Sequence, residues 1–318
     1  MRNTSIIRSI YGTNDDISPN AWFSYAQALV IVSAADGSLS EPEVAWLMYD
    51  FGNTIQASEE FRNHLKSFDP RSEPLESVLN RVARNFSINY LRALVYDSLK
   101  MAYADNHLHE LEQGKARELA NKLHVPLYIA RTIEGLVNTE RSVADIRKSI
   151  FQVETGQAEK DLAISPNAWA FKSIFGLSSF PKDLHLYYGY ALMAIAGADG
   201  QVSEGERRWY LEEFAPAVFT PPEVVEQVMA FDFKTADLKK IVQHIQEDLT
   251  GNFARMLLYH ATQMAQADGD YAEEEKKQVE RIAEEFLIPA DIAQTIQYLV
   301  DTEERVAKMR KTLFRAKE

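Results

Sequence analysis

The feature that most constrains this chain of 318 residues is an end-to-end duplication with an offset of 163 positions. Asp36 corresponds to Asp199, and at the far end of the repeat Phe151 corresponds to Phe314. A duplication of this length predicts two copies of one fold rather than a single large domain. With 46% hydrophobic residues, the chain has enough apolar material for two separate cores.

The expected domains are residues 1–155 and 164–318. They meet near residues 153–161, a polar stretch that contains a glycine and lacks large apolar side chains. The segment Ile-Ser-Pro-Asn-Ala-Trp occurs at residues 17–22 and again at 164–169, out of register with the duplication. Ser followed by Pro is a typical helix start, which explains each copy locally and leaves the coincidence unexplained.

Inside each copy, a shorter motif occurs twice, 69 positions apart. It reads Ala-Asp-(Gly/Asn)-x-apolar-x-Glu-x-Glu and follows a run of small and apolar residues each time. Its four occurrences begin at Ala35, Ala104, Ala198 and Ala267. Each domain is therefore expected to contain two half-repeats around one core. The period is too long and the copies are too few for an open solenoid.

The apolar residues recur at helical spacing, as in Tyr25, Leu29 and Val32, and no stretch alternates with the period of a strand. The predicted fold class is all-α, with six to eight helices in each domain. After the motifs, helices are expected over residues 44–51, 115–123, 207–214 and 276–286. Two closing helices of the first copy are expected over residues 127–137 and 142–151, with counterparts in the second copy.

Composition excludes several classes of protein. A net charge of −13 and a pI near 5.1 argue against a nucleic-acid partner, because phosphate neutralisation needs a basic surface. The absence of cysteine excludes disulfides and thiolate chemistry. Arg8 interrupts the apolar part of the N-terminus, so no signal peptide is predicted, and the run 26–35 is too short for a transmembrane segment. A soluble cytoplasmic protein is expected.

The motif has a simple structural interpretation. Asp-Gly favours a tight turn, because Gly adopts positive φ and Asp bonds the backbone two residues on. Ser40 with Glu43, and Ser203 with Glu206, have the spacing of a capping box at a helix start. The acidic residues would then only cap and stabilise helices.

Two observations favour a further role. His109 and Ala272 replace the capping serine in the second turns, yet both glutamates of the motif are kept there. The spacing also resembles the back half of an EF-hand loop, although the upstream ligand positions offer no carboxylate. A single turn cannot complete a cation cage. Two turns that face each other could assemble one site per domain for a hard divalent cation such as Ca²⁺.

Two Ala-Asp-Gly turns in a helical domain resemble the tellurite-resistance TerB family, which includes the N-terminal region of the DjlA co-chaperones. The resemblance covers two tandem modules, roughly residues 15–153 and 178–316. It implies compact α-bundles with a metal-interacting acidic surface. The residues carried over in the first module are Asp36, Glu41, Glu43, Asp105, Glu110 and Glu112. Those in the second module are Asp199, Glu204, Glu206, Asp268, Glu273 and Glu275.

Other kinds of site have weaker support. His107 and His109 beside Asp105 raise the alternative of a zinc site in one turn, against the simpler interpretation of a solvated loop. The sequence lacks a nucleophile elbow, a phosphate-binding loop and the His-Glu-x-x-His motif. The J-domain tripeptide His-Pro-Asp is also absent. A non-enzymatic protein is therefore predicted.

The predicted role is a divalent-cation-binding, stress-response adaptor of the tellurite-resistance type that assembles with protein partners. The alternative is a metal-independent interaction scaffold, or a co-chaperone-like accessory module, in which the acidic turns are only structural caps. The two differ in one geometric requirement. The cation site needs the two turns of each domain to meet, whereas caps do not.

Overall fold

A computed structural model describes residues 17–151, 184–246, 251–269 and 271–315. Within these ranges the protein is all-α, as predicted, and contains fourteen helices. The predicted joint at residues 153–161 and the second Ile-Ser-Pro-Asn-Ala-Trp segment lie outside them. None of the helices in these ranges has both the length and the apolarity that crossing a bilayer requires.

Over residues 17–151 the first copy has seven helices, within the predicted six to eight. They are α1 (Pro19–Ser33), α2 (Glu41–Ala45, continued by a π-helical turn at Trp46–Phe51 and by Gly52–Thr54), α3 (Glu59–Lys66), α4 (Leu75–Asn85), α5 (Ile88–Ala102), α6 (Glu110–Lys122) and α7 (Leu127–Phe151). The second copy repeats this order in its described part. Its helices are α8 (Leu184–Ala196), α9 (Glu204–Trp209, with a π-helical turn at Tyr210–Phe214 and Ala215–Ala217), α10 (Pro222–Met229), α11 (Leu238–Gln246), α12 (Gly251–Ala265), α13 (Glu273–Glu285) and α14 (Ala290–Phe314).

Two details of the sequence prediction are wrong. The separate helices expected over 127–137 and 142–151 form the single helix α7, because no proline interrupts the chain between them. The helices after the motifs begin three to five residues earlier than expected, at the first glutamate of each motif. This glutamate follows the capping position, where the helix dipole favours a negative charge.

The described residues form two compact units. Among the described residues, unit 1 contains 17–141 and 304–315, and unit 2 contains those between 142 and 303. These units differ from contiguous domains at 1–155 and 164–318, which remain a prediction based on the sequence repeat. Helix α7 begins in unit 1 and ends in unit 2, whereas α14 begins in unit 2 and ends in unit 1. The units therefore exchange the last turns of their long helices.

The core of unit 1 surrounds α1. Ser18 caps this helix, because its Oγ accepts the Ala21 N–H at 3.3 Å. Nearly every residue of α1 is buried, including Trp22 and Tyr25, and it packs against α4 and α5. Trp22 lies edge-on to Phe86 at 5.3 Å between ring centroids. A helix that is apolar all round is typical of a central position in a bundle.

The core of unit 2 surrounds α8, the counterpart of α1. Helix α8 packs against α10, α11 and α12. Tyr188, fully buried, stacks on Phe214 with 5.2 Å between ring centroids. The corresponding stack in unit 1 joins Tyr25 to Phe51 at 5.6 Å. The aromatic centres of the two cores are thus the same arrangement built twice.

One buried polar pair differs between these cores. In unit 1 the Tyr25 hydroxyl donates to Asp97 Oδ2 at 2.7 Å. In unit 2 the Tyr188 hydroxyl lies 2.9 Å from His260 Nδ1. Burial lowers the pKa of His260 to about 3, so this imidazole is neutral at pH 7. A buried tyrosine needs a partner for its hydroxyl, and either residue type provides one.

The exchanged helix ends are held by partly buried ion pairs. In unit 1, Arg310 donates to Glu140 at 2.7 Å, and the Tyr96 hydroxyl donates to the other oxygen of the same carboxylate at 2.6 Å. Although burial opposes ionisation, Lys100 and Arg310 lower the pKa of Glu140. Phe314, fully buried, packs edge-on against Tyr96. The end of α14 is therefore an integral part of unit 1.

The mirror arrangement completes unit 2. Arg147, near the end of α7, donates to Glu303 Oε1 at 2.6 Å, and the Tyr259 hydroxyl donates to Glu303 Oε2 at 2.6 Å. Phe151 packs edge-on against Tyr259 at 5.7 Å. Charge-assisted hydrogen bonds of this kind fix orientation when they are buried, since breaking one leaves an unpaired charge.

Candidate functional site

In the turns of Asp36, Asp105 and Asp199, the aspartate accepts a hydrogen bond from the backbone N–H two residues on. Asp36 Oδ1 accepts the Ser38 N–H at 3.1 Å, and Gly37 has a φ of 116°. Asp105 bonds the His107 N–H in the same way, at 2.8 Å. There Asn106 replaces glycine and takes a φ of 66°. The turn explains why Gly or Asn follows the aspartate, since both adopt the left-handed conformation at low cost.

The second glutamate of each motif folds back to cap its helix. Glu43 Oε2 accepts the backbone N–H of Ser40 at 2.7 Å, and Glu206 Oε2 accepts that of Ser203 at 2.6 Å. The second turns keep this bond although the serine is gone. Glu112 accepts the N–H of His109 at 2.8 Å, and Glu275 accepts that of Ala272 at 2.9 Å. The predicted capping role is therefore present, and it uses only one oxygen of each carboxyl group.

The two turns of unit 1 meet at these glutamates. Glu43 and Glu112 are both buried, and their carboxyl groups lie within hydrogen-bonding reach of each other. Burial raises the pKa of Glu43, and it raises the pKa of Glu112 to about 8, with the Glu43 carboxyl adding to the effect. Two carboxyl groups this close and this buried cannot both be ionised without a compensating positive charge.

The same pair is built in unit 2. Glu206 and Glu275 are buried, their carboxyl groups are within hydrogen-bonding reach, and burial raises both pKa values, that of Glu275 to about 8. Glu206 Oε1, like Glu43 Oε1 in unit 1, is buried and has no hydrogen-bond donor. An ionised carboxylate only accepts hydrogen bonds, so each pair presents a buried oxygen that requires a proton or a cation.

The motif aspartates lie at the exposed mouth of each pair. Asp36 and Asp105 are exposed, and each raises the pKa of the glutamate from the opposite turn. Asp199 and Asp268 act in the same crossed way in unit 2. A Cβ on Gly205 would lie only 2.8 Å from the Cβ of Asp268, so the second turn sits directly on the start of helix α9. Each unit thus gathers four acidic side chains from two turns.

The first glutamates of the motifs do not join these clusters. Glu41, Glu110, Glu204 and Glu273 are all exposed. Two of them pair with basic residues on their own helices: Glu204 with Arg208 at 2.9 Å, and Glu273 with Lys276 at 3.5 Å. Across residues 17–151, 184–246, 251–269 and 271–315, no three acidic or histidine side chains are already arranged to hold a metal ion.

The zinc alternative loses one ring nitrogen as a ligand atom. His109 Nδ1 accepts the Leu111 N–H at 3.2 Å, which places that lone pair on the backbone as a helix cap. His107 lies exposed on the loop. Sequence reasoning missed a different feature, the pairing of the buried glutamates across turns. The only signal for it is that these glutamates persist where the capping serine does not.

The comparisons with known proteins agree with this duplicated architecture. The sequence profile of the family described as "Tellurite resistance protein TerB" matches residues 23–128 and 189–297, which together make up more than half of the chain. The chain belongs to the TerB family. A search of curated proteins and a search of solved structures return no match. Each TerB region contains both turns of its glutamate pair, whereas the exchanged ends of α7 and α14 lie outside the TerB regions.

Proposed function

We propose that this tandem TerB protein is a non-enzymatic adaptor in which each glutamate pair binds a divalent cation, Ca²⁺ or a similar hard ion. In this proposal, cation binding links a cytoplasmic stress response of the tellurite-resistance type to protein partners. Membership of the TerB family supports the proposed class of protein. The acidic pairs formed by the turns support a divalent cation as the ligand.

The single observation that carries the proposal is the buried, donorless Oε1 of Glu43 beside the Glu112 carboxyl group. Desolvated like charges are unfavourable, and a positive charge between them removes the repulsion. At low pH a shared proton removes the repulsion between the two carboxyl groups. When both groups are ionised, a divalent cation removes more of it, because the cation neutralises two negative charges.

The residues offer carboxylate oxygens, which are the ligand type that such an ion prefers. Glu43 and Glu112 would supply the inner oxygens of the first site, and Asp36 and Asp105 would supply outer ones, with water filling the remaining positions. The aspartate Oδ1 atoms are already committed to their turns. A cation would therefore use the other aspartate oxygens. Its chemistry would be structural, since it would join two turns without activating a substrate.

A specific observation favours the alternative, a metal-independent scaffold. The Oε2 of all four buried glutamates already accepts a capping N–H, and one proton shared by each pair would satisfy its remaining oxygens. The acidic pairs would then serve only to lock two turns together. Partner binding by such a scaffold would not depend on cations.

Calorimetric titration with CaCl₂ and MgCl₂ separates the two. The cation proposal predicts two sites in the native chain and one site in either double variant, Glu43→Gln/Glu112→Gln or Glu206→Gln/Glu275→Gln. The matched control is Glu41→Gln/Glu110→Gln, which removes the same charge from the exposed positions and should keep both sites. Absence of saturable cation binding in the native chain would favour the scaffold.

A further inference from the structure

A cavity of about 620 Å³ in unit 2 plays no part in the proposed cation site. It lies among helices α12, α13 and α14. Its apolar lining includes Leu258, Val279, Ala283, Ile288 and Ala293. This volume falls within the range of small-molecule sites.

Unit 1 has a smaller corresponding cavity. It measures about 260 Å³, and its lining includes Ala116, Ala120 and Ala130, which correspond to Val279, Ala283 and Ala293. Glu134 also lines this cavity and bridges α7 to α6 there. It accepts a hydrogen bond from Gln113 and pairs with Arg117 at 3.3 Å.

The residues that form this bridge in unit 1 are replaced in unit 2. Gln297 stands in the place of Glu134, and Glu280 in the place of Arg117. Gln297 does not bridge the two helices in the same way, because its Nε2 donates along α14 to Asp301 Oδ1 at 2.9 Å. The larger cavity of unit 2 therefore lacks the ion-paired bridge that lines the smaller cavity of unit 1.

The polar side of this cavity is rich in acceptors. Asp301 Oδ1 receives hydrogen bonds from Gln266 and Gln297, both at 2.9 Å. Because the Gln266 amide directs its nitrogen to this carboxylate, its Oε1 is left buried without a donor. Glu280 and Glu284 add negative charge at the rim.

The basic side chain at this cavity does not offset that charge. Among the described residues that line it, Lys276 is the only basic one. Its Nζ lies 3.5 Å from Glu273 and 5.4 Å above the centre of the Tyr271 ring. The cavity thus combines an apolar interior with acceptors and net negative charge, which is complementary to an apolar molecule that carries a positive, hydrogen-donating end.

We infer that this cavity binds a small organic cation, a protonated amine with an apolar chain. The ammonium group donates to Asp301 and to the free acceptor of Gln266, and the chain lies against Val279, Ala283 and Ala293. This inference does not depend on the glutamate pairs. The pair of unit 2, Glu206 and Glu275, is a separate group of side chains from those that line the cavity. It gives unit 2 a binding function that unit 1 lacks.

The test uses the full chain and hexylammonium as the probe, followed by calorimetry and ligand-observed NMR. Hexylammonium should bind once, and hexanoate should not bind. Affinity should rise about fourfold for each added methylene from butylammonium to hexylammonium. Asp301→Asn should weaken binding about tenfold, because an amide replaces the carboxylate that faces the ammonium.

Filling the cavity provides the second test. Ala293→Leu should abolish binding, whereas the matched change in unit 1, Ala130→Leu, should leave it unchanged. Glu206→Gln/Glu275→Gln should also leave it unchanged, which separates this site from the glutamate pair. Unaltered circular dichroism and melting would show that Ala293→Leu still folds. If that variant does not fold, Ala290→Leu, which copies Leu127 of unit 1, takes its place.

Three results on the cavity itself would overturn the inference. They are no saturable binding of hexylammonium to the native chain, equal binding of hexanoate, and retention of binding in a folded cavity-filling variant. Binding that disappears with the glutamate-pair substitutions would also overturn it, because the ammonium would then be occupying the acidic turns.

Discussion

Units 1 and 2 are two versions of the same design, and they differ in instructive places. Both keep the buried glutamate pair, with Glu43 and Glu112 in one and Glu206 and Glu275 in the other. They differ in the core, where the partner of the buried tyrosine is Asp97 in unit 1 and His260 in unit 2. A tyrosine hydroxyl accepts several partners, whereas a pair of buried acids has few substitutes.

The comparison also separates two roles of the motif. Its aspartate and glycine shape the turn, its second glutamate caps the helix, and the meeting of two turns creates the acidic pair. The residue at the capping position is serine in the first turn of each unit, Ser40 and Ser203. In the second turns it is His109 or Ala272. The glutamate that makes the pair does not vary within the chain. Within one sequence, the pair is therefore the more constrained feature.

The largest predicted effect tests whether the helix ends are exchanged. Phe314→Ala removes a fully buried ring from unit 1, although the residue belongs to the second sequence repeat. We expect unit 1 to lose about 3–5 kcal/mol of stability. Hydrogen exchange should accelerate first in α5, which carries Tyr96. The matched variant Phe151→Ala should accelerate exchange first in α12 instead. The opposite pattern would show that each helix end belongs to its own repeat.

The next prediction uses the difference in the core. Because burial lowers the pKa of His260 to about 3, the neutral form is favoured in the folded state. Stability of unit 2 should therefore be full above pH 6.5 and should fall as the pH decreases from 6.5 towards 3. The loss should reach about 2 kcal/mol at pH 5. It is measured by denaturant unfolding across this range.

Substitutions at the same position sharpen this comparison. His260→Asn should remove the additional acid sensitivity of unit 2. Asp97→His, which copies the pair of unit 2, should introduce it into unit 1. Equal pH dependence in the native chain and in His260→Asn would mean that the imidazole is not the sensitive group.

The glutamate pairs have the opposite pH dependence. The pKa of Glu112 is raised to about 8, so the folded state holds a proton that the unfolded chain releases near pH 4.5. The associated stability is full below pH 4.5 and is lost as the pH rises through 8. Glu112→Gln lets an amide donate to Glu43 Oε1 at any pH. It should stabilise the cation-free protein by about 1 kcal/mol at pH 8.5, after allowance for screening.

Two checks accompany this prediction. Glu275→Gln should have the same effect in unit 2, and the exposed control Glu110→Gln should have almost none. Melting curves in the presence of a chelator provide the measurement. Destabilisation by Glu112→Gln at pH 8.5 would show that the carboxylate is needed in its ionised form.

The smallest effect concerns the caps. Ala272 has no side-chain acceptor, so its turn keeps only the bond from its N–H to Glu275. Ala272→Ser should complete the capping box and stabilise unit 2 by about 0.5–1 kcal/mol, and Ser203→Ala should cost about 1 kcal/mol. Chemical unfolding of both variants tests this. A gain in stability from Ser203→Ala would contradict the capping assignment.

Much of the fold can be predicted from the sequence. Helical periodicity is visible within each segment, and the 163-position repeat is found by comparing the sequence with itself. The continuity of helix α7 is harder to predict from the sequence. A break is expected around residues 138–141, where helix propensity is weak and tertiary packing determines whether the helix continues. The exchange of helix ends could not be predicted at all. Tyr96 and Glu140 would accept Arg147 or Arg310 equally well, since the two repeats carry the same residues.

The candidate site was predictable in part. Recurrence of the motif predicted that two turns would share their acids, and the structure brings Glu43 to Glu112. It could not indicate which acids turn inward. Glu41 and Glu43 differ only in their position within the first helical turn, and burial of the latter depends on the opposite turn. That information lies in the packing of α6 against the first turn.

The most direct test of the central claim is carbon-13 NMR titration of the glutamate carboxyl groups in the full chain, with and without CaCl₂. Without the cation, Glu112 and Glu275 should titrate near pH 8. Saturating CaCl₂ should lower both values by at least about one unit, because a bound cation favours the ionised form. Titration of Glu112 and Glu275 near pH 4.5 in both conditions would contradict the account.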